Sequence, residues 1–197
     1  MAWEEMKGEE LERERKLNQI YLAIISRYKE YIEEREHISV AELPMLVNPK
    51  DEGVVKKAES IRLQFGEYTY RNDFYEAAVT AFGFVKTDIS TIAMPLEFWL
   101  TPGETLSFGA GDVMDKSTLL CSVFIALGNP SAKVLVHITT GDRKVFVYFE
   151  FDGVFYLFDL DDGVRESKSR DEMLLQLART EDSVVYEFND RMYLDIE

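Results

Sequence analysis

Few side chains in this chain are equipped to do chemistry, and the most suggestive of them gather in one stretch. Residues Gly109 to Gly128 read GAGDVMDKSTLLCSVFIALG: two close glycines, the acids Asp112 and Asp115, then an apolar run holding the only cysteine, Cys121. A Gly-Asp entry into a helix suits a nucleophile, because the positive end of a helix favours a thiolate. The residue at that place is Val113, which has no nucleophilic atom. Cys121 lies further along the same predicted helix, about 12 Å down its axis at ~1.5 Å per residue. Among apolar neighbours it reads as a core thiol. The histidines are His37 and His137. His137 lies in a predicted strand and reads as a structural or edge residue. Two histidines and one cysteine make a structural zinc site unexpected. Neither a metal nor any other cofactor is expected.

Other motifs weigh less. GAGD lacks the third glycine of a dinucleotide fingerprint and the Gly-Lys-Ser/Thr of a phosphate loop, so its glycines read as a tight entry into a buried helix. Asp161-Asp162 before Gly163 lacks the spaced oxygen ligands of a calcium loop and reads as a solvated turn. The acids Asp112, Asp115 and Asp159 leave a carboxylate-based hydrolase open. That chemistry needs two carboxylates within ~5–10 Å in a pocket, one with a raised pKa. Asp115 is equally well placed to cap the helix that follows.

The elements that position these residues follow from period and caps. Leu17, Ile20, Tyr21, Ile24, Tyr28 and Ile32 recur at helical spacing among charged residues, so the N-terminus is a helix. It can bind a partner, dimerise or pack on its own domain. SVAELP offers a Ser39–Glu42 capping box and a stop at Pro44. NPKDEG starts a helix with Asn48 as cap and Pro49 first, ending at Gly66. A further helix is expected from a cap at Asn72, with Gly83 inside it. Thr101, Pro102 and Glu104 open another. The run from Met114 to Leu127 is apolar over much of its girth and so belongs at the centre of a core; Gly128 and Pro130 end it. The period then changes to strands: AKVLVHI, then KVFVYFEF and VFYLFDL around an Asp152-Gly153 hairpin. A short helix capped by Ser169 and a second hairpin at Asn189-Asp190 follow. Helices first and an antiparallel sheet after them spell an α+β fold, with residues 1–45 an N-terminal helical segment and 46–197 the main domain.

Composition sets the outer bounds. The chain has 197 residues, 46% of them hydrophobic, and a net charge of −15. That charge argues against nucleic acid and anionic membranes as partners. A lone cysteine excludes an internal disulfide, and the charged start MAWEEMKGEELERERK is no signal peptide, so a cytoplasmic home is expected.

Taken together, FWLTPGETLSFGAGDVMDKSTLLCSVFIALG resembles the transglutaminase-like superfamily of cysteine proteases and acyltransferases, in particular its bacterial and archaeal branch. Trp99, Thr101, Pro102, Glu104, Thr105, Leu106, Gly111, Asp112, Asp115, Ser117, Leu119, Leu120, Leu127 and Gly128 carry the likeness, and KVFVYFEFDGVFYLFDLD follows where the family has its His-strand and Asp-strand. The likeness runs roughly from Phe74 to Gly163. It implies a papain/transglutaminase-like core, with a central buried helix on an antiparallel sheet and extra N-terminal helices. In the family a Cys nucleophile, a His base and an orienting Asp do the chemistry. Carried over, these fall on Val113, Lys144 and Asp159. A Lys, with a pKa near ~10.4, is no general base. The resemblance therefore implies a catalytically inactive domain, a pseudoenzyme that binds an unknown protein or peptide in a cleft around Trp99, Asp112, Val113, Met114, Lys144 and Phe146. Lys144 and Asp159 are expected to form an ion pair where His and Asp would stand. An assembly protein organised by a homodimer of the N-terminal helix is the remaining alternative.

Overall fold

Side-chain oxygens that reach free backbone amides set most helix starts in the computed structural model, which describes residues 2–35, 39–93, 98–177 and 182–196. The chain forms two compact units. One holds α1 (Ala2–Arg35), the long helix expected from the apolar spacing. Leu17, Ile20, Tyr21, Ile24 and Tyr28 lie exposed along it, and Ile25 and Ile32 are half-buried.

The second unit holds the remaining elements. Ser39 donates its backbone N–H and its hydroxyl to the Glu42 carboxylate, 2.9 and 2.8 Å. A single 3-10 turn, Leu43–Leu46, follows with Pro44 in its first positions. Leu43 and Leu46 are buried in the core, so this turn belongs with the second unit. Helix α2 (Glu52–Arg62) starts at Asp51, whose carboxylate accepts from the amides of Gly53 and Val54. The expected cap, Asn48, instead accepts from Lys50 N–H in the turn ahead. Helix α3 (Tyr70–Thr87) likewise starts before its expected cap at Asn72. Asp73 accepts from both the N–H and the hydroxyl of Thr69, and these two bonds to one carboxylate fix the first turn earlier. Gly83 is accommodated within the helix.

A two-residue parallel pair, β1 (Ser90–Thr91) with β2 (Ala110–Gly111), brackets α4 (Pro102–Phe108). The Thr101–Glu104 box opens α4, and Gly109, at φ 62°, ends it. Helix α5 (Val113–Ala126) follows; every residue from Met114 to Phe124 is buried. Strands β3 (Lys133–Thr139), β4 (Asp142–Phe151), β5 (Val154–Asp159), β6 (Gly163–Ser167), β7 (Val184–Phe188) and β8 (Tyr193–Asp195) form one antiparallel sheet in the order β6-β5-β4-β3-β7-β8. At the β4–β5 hairpin both Asp152 and Gly153 take positive φ, 53° and 76°, the conformation for which Asp-Gly is selected. Strand β6 escapes sequence analysis because GVRES is short and mostly polar. The short pair β1–β2 was not expected either; the other strands of the six-stranded sheet and both hairpins lie where expected.

Helix α5 packs between one face of the sheet and helices α2, α3 and α4. Phe74, Phe124, Phe149 and Phe158 meet there with ring centroids 4.9–5.2 Å apart, a spacing that adds edge-to-face attraction to area burial. Opposite, Leu135, Phe146, Tyr148, Leu157 and Val185 form a smaller core under Met173 and Leu174 of helix α6 (Arg170–Leu175). The fold is the expected α+β arrangement, a central buried helix on an antiparallel sheet. Among the described residues no helix is long and apolar enough to cross a membrane.

Candidate functional site

The start of α5 is locked by two acids. The Asp112 carboxylate accepts from Asp115 N–H, and the Asp115 carboxylate accepts from Asp112 N–H, each 2.8 Å. The second Asp115 oxygen accepts from Leu100 N–H, also 2.8 Å. Asp115 is fully buried. Burial pushes its pKa up to about 6, with the neighbouring Asp112 charge adding to the rise and the two backbone donors opposing it. Gly111 is required here, since a Cβ on it would lie 2.8 Å from the Asp115 Cβ.

This box leaves Val113 as the first helical residue, half-buried, on the wall of a cavity of about 180 Å³. Lys144, Val145, Phe146, Asp159 and Leu160 are among the other lining residues. A second cavity, about 310 Å³, is lined by His137, Thr139, Arg165, Gln176 and Leu177, and shares Asp142, Lys144, Phe146 and Asp162 with the first. The positions deduced from the resemblance, Val113, Lys144 and Asp159, therefore line one cavity. Phe146 lines both. Trp99, Asp112 and Met114 line neither: Met114 is fully buried in the core and Trp99 packs against it.

The expected Lys144–Asp159 ion pair does not form. The hairpin register sets Phe146, not Lys144, opposite Asp159. Asp159 pairs instead with Arg165 of β6 at 3.2 Å, and accepts from the amides of Asp161 and Asp162. Lys144 makes no ion pair among the described residues. The cation that reaches the start of α5 is Arg143, 3.8 Å from Asp112. Strand alternation explains the switch. Arg143 and Val145 share the face of Val147 and Phe149, which packs on α5, whereas Lys144 and Phe146 carry the opposite parity. Arg143 is the sequence neighbour of Lys144; Arg165 carries no sequence signal, because its short polar strand carries none.

Cys121 lies away from the start of α5 and lines neither cavity. It is fully buried in mid-helix, and burial pushes its thiol well above the ordinary range. His137 is buried in β3 beside Lys144 and lines the second cavity; His37 lies outside the described residues. Nor is Asp115 available as an acid or base: both its oxygens are engaged by backbone amides at a site without solvent access. Among the described residues no group of three or more His, Cys, Asp or Glu is arranged to hold a metal ion.

At the level of sequence, no family model matches the chain and neither does any curated protein. Solved structures do. The chain is similar to LapG of Legionella pneumophila in its EGTA-treated form: TM-score 0.51, 14% identity, over 81% of this chain and 87% of that one. A further LapG structure and its calcium-bound form match with the same TM-score and identity, over 80% of this chain and 88% of theirs. The fold is thus a LapG-like, transglutaminase-like one.

Proposed function

We propose that this chain is a catalytically inactive transglutaminase-like domain that uses the cavities beside Val113 to bind a peptide segment of another protein. The observation that carries this reading is the isopropyl group of Val113 at the first position of α5, on the wall of a cavity shared with Lys144 and Asp159. Acyl transfer through a covalent intermediate needs a nucleophile at such a place and a base to activate it. Val113 supplies no nucleophile. Lys144 is exposed, with no carboxylate partner among the described residues, and stands where the resemblance places a histidine base. The surroundings have also changed: Asp159, which would orient a histidine, is committed to Arg165. Calcium, present in one of the LapG structures, is no part of the proposal, because Asp112 faces Arg143 and the next side chain but one is the buried Met114. What supports binding is the pair of adjoining cavities, with the apolar Val113, Val145, Phe146, Leu160 and Leu177 among charged walls. Apolar floors with a few polar groups suit side-chain capture.

The test pans the full chain against a random peptide library and follows binding and turnover in the same samples. Enriched peptides should bind without cleavage or transfer, and should weaken at least tenfold on Val113→Trp, which fills the first cavity. Peptide cleavage or acyl transfer that disappears in Cys121→Ala overturns the inactive assignment. Failure to enrich any peptide sensitive to Val113→Trp overturns the binding assignment.

A further inference from the structure

The helix α1 makes up most of the first unit, and its larger apolar side chains from Leu17 to Ile32 gather mainly on one side. At ~100° per residue, Leu17, Ile20, Tyr21, Ile24, Ile25, Tyr28, Tyr31 and Ile32 fall within about 140° of arc. The remaining arc holds Asn18, Gln19, Ser26, Arg27, Lys29, Glu30, Glu33 and Glu34, with Leu22 and Ala23 its apolar members. Lys29 and Glu33 form an i,i+4 ion pair on that side, 3.5 Å. Within the apolar stripe, Leu17, Tyr21, Ile24, Tyr28 and Tyr31 are spaced by four, three, four and three residues and are 44–56% exposed.

We infer that α1 is a self-association element, and that a second copy of α1 covers this stripe in a coiled coil. Three observations choose that occupant. The first is the period. A 4-3-4-3 spacing repeats every 3.5 residues, and only a helix of matching period, supercoiled around it, keeps contact along such a seam; a second α1 has that period by identity. The second is the extent. From Leu17 to Ile32 the seam runs about 24 Å at ~1.5 Å per residue. Eight side chains per copy, three of them tyrosines, bury on the order of 1,100 Å² across two copies, the lower edge of what a specific interface needs. The third is charge. The chain as a whole carries −15, which opposes association, but between Leu17 and Glu34 the basic Arg27 and Lys29 nearly offset Glu30, Glu33 and Glu34. The seam region is thus close to neutral, and two copies meet there without the repulsion carried elsewhere. The apolar flanks Ile20, Ile25 and Ile32 widen the seam beyond strict core positions, which admits assemblies larger than two. Association would place at least two peptide-binding cavities in one particle, so that weak binding to a repeated target is strengthened by linkage.

The experiment weighs the full chain by light scattering at about 50 μM, a concentration suited to an interface of this area. The expected result is twice the 22.8 kDa chain mass, or a higher multiple, falling to one chain in the Ile24→Glu, Tyr28→Glu double variant and unchanged in Ser26→Glu on the polar face. A second arm does not depend on disrupting the helix. Cys121 is buried, so a single added cysteine reports alone: a core-position Ile24→Cys should oxidise to a covalent dimer, and Ser26→Cys should not. A wild-type monomer with no Ile24→Cys cross-link overturns the inference, and so does an oligomer that survives the double variant.

Discussion

Replacing Val113 by cysteine places a thiol at the first turn of α5, where the surroundings set its reactivity. In the wild type the only thiol, Cys121, is fully buried, so it reacts only when the chain opens. For a stability of roughly 5–15 kcal/mol the open fraction is about 10⁻⁴ or less, and native alkylation should run at least ~10³-fold slower than for a free thiol. A cysteine at 113 sits half-buried on a cavity wall at the first turn of α5. The helix end lowers its pKa by an amount worth about 0.3–1 kcal/mol. Opposing this, Asp142, Asp159, Asp161 and Asp162 line the same cavity, against the two cations Arg143 and Lys144. Two surplus charges at roughly 7–10 Å in water, reduced by salt, contribute about 0.3–0.6 kcal/mol the other way. The effects nearly cancel, so the new thiol should titrate within about half a unit of ~8.5, leaving about 3% of it ionised at neutral pH. Iodoacetamide rates from pH 6 to 10, followed by intact mass, measure both quantities. The variant should react at least ~100-fold faster than wild type. An apparent pKa below ~7 in the variant would refute the charge argument, because it would mean the site still activates a thiolate. Equal rates in wild type and variant would refute the placement of Val113.

Three further outcomes follow from the packing. Glu187 is fully buried and accepts from Lys133, Tyr148 and Arg170 at 2.6, 2.5 and 2.9 Å; burial alone would raise its pKa, but these donors prevail and hold it below the usual carboxylate range. Glu187→Ala leaves buried donors without an acceptor and should cost about 3–5 kcal/mol, a fall in Tm of about 10 °C for a chain of this size; a fall under about 3 °C would show the network to be inconsequential. Asp115 behaves oppositely with pH: its native pKa, about 6, lies above its ordinary 3.8, so the native state holds the proton more tightly and this group's contribution is greatest below pH ~4 and declines by about 2–3 kcal/mol as pH rises to ~6. Urea unfolding of wild type and Asp115→Asn across that range should show the decline only in the former, above a pH-independent cost of about 1–3 kcal/mol for one backbone amide left without an acceptor; parallel curves contradict the assignment. Gly111→Ala should destabilise by about 1–3 kcal/mol through the 2.8 Å approach of its Cβ to that of Asp115, measurable as a lowered urea midpoint, and an unchanged midpoint would mean the α5 entry can widen.

Much of the fold was legible because its signals are local. The Thr101–Glu104 box, the Asp152-Gly153 turn and the apolar girth of α5 each follow from a few neighbouring residues, and the structure places them where they were expected. Local signals also compete, which is why α2 starts at Asp51 rather than Asn48 and α3 starts ahead of Asn72. The absence of a nucleophile at position 113 needed no coordinates at all, since no arrangement of the backbone gives valine a reactive atom.

The charge partners of the site were decided by tertiary structure alone. Asp159 could meet Lys144 or Arg165, and the choice rests on hairpin register and on the strand β6, whose five residues are too short and polar to announce themselves. Arg143 rather than Lys144 reaches Asp112 because alternate side chains of β4 emerge on opposite faces, and only the packed sheet says which face meets α5. The burial that silences Cys121 and raises Asp115 is likewise a sum over elements distant in sequence. Composition and caps specify where helices and strands begin; which charges meet depends on how those elements pair, and ion pairing acts through space without regard to sequence separation.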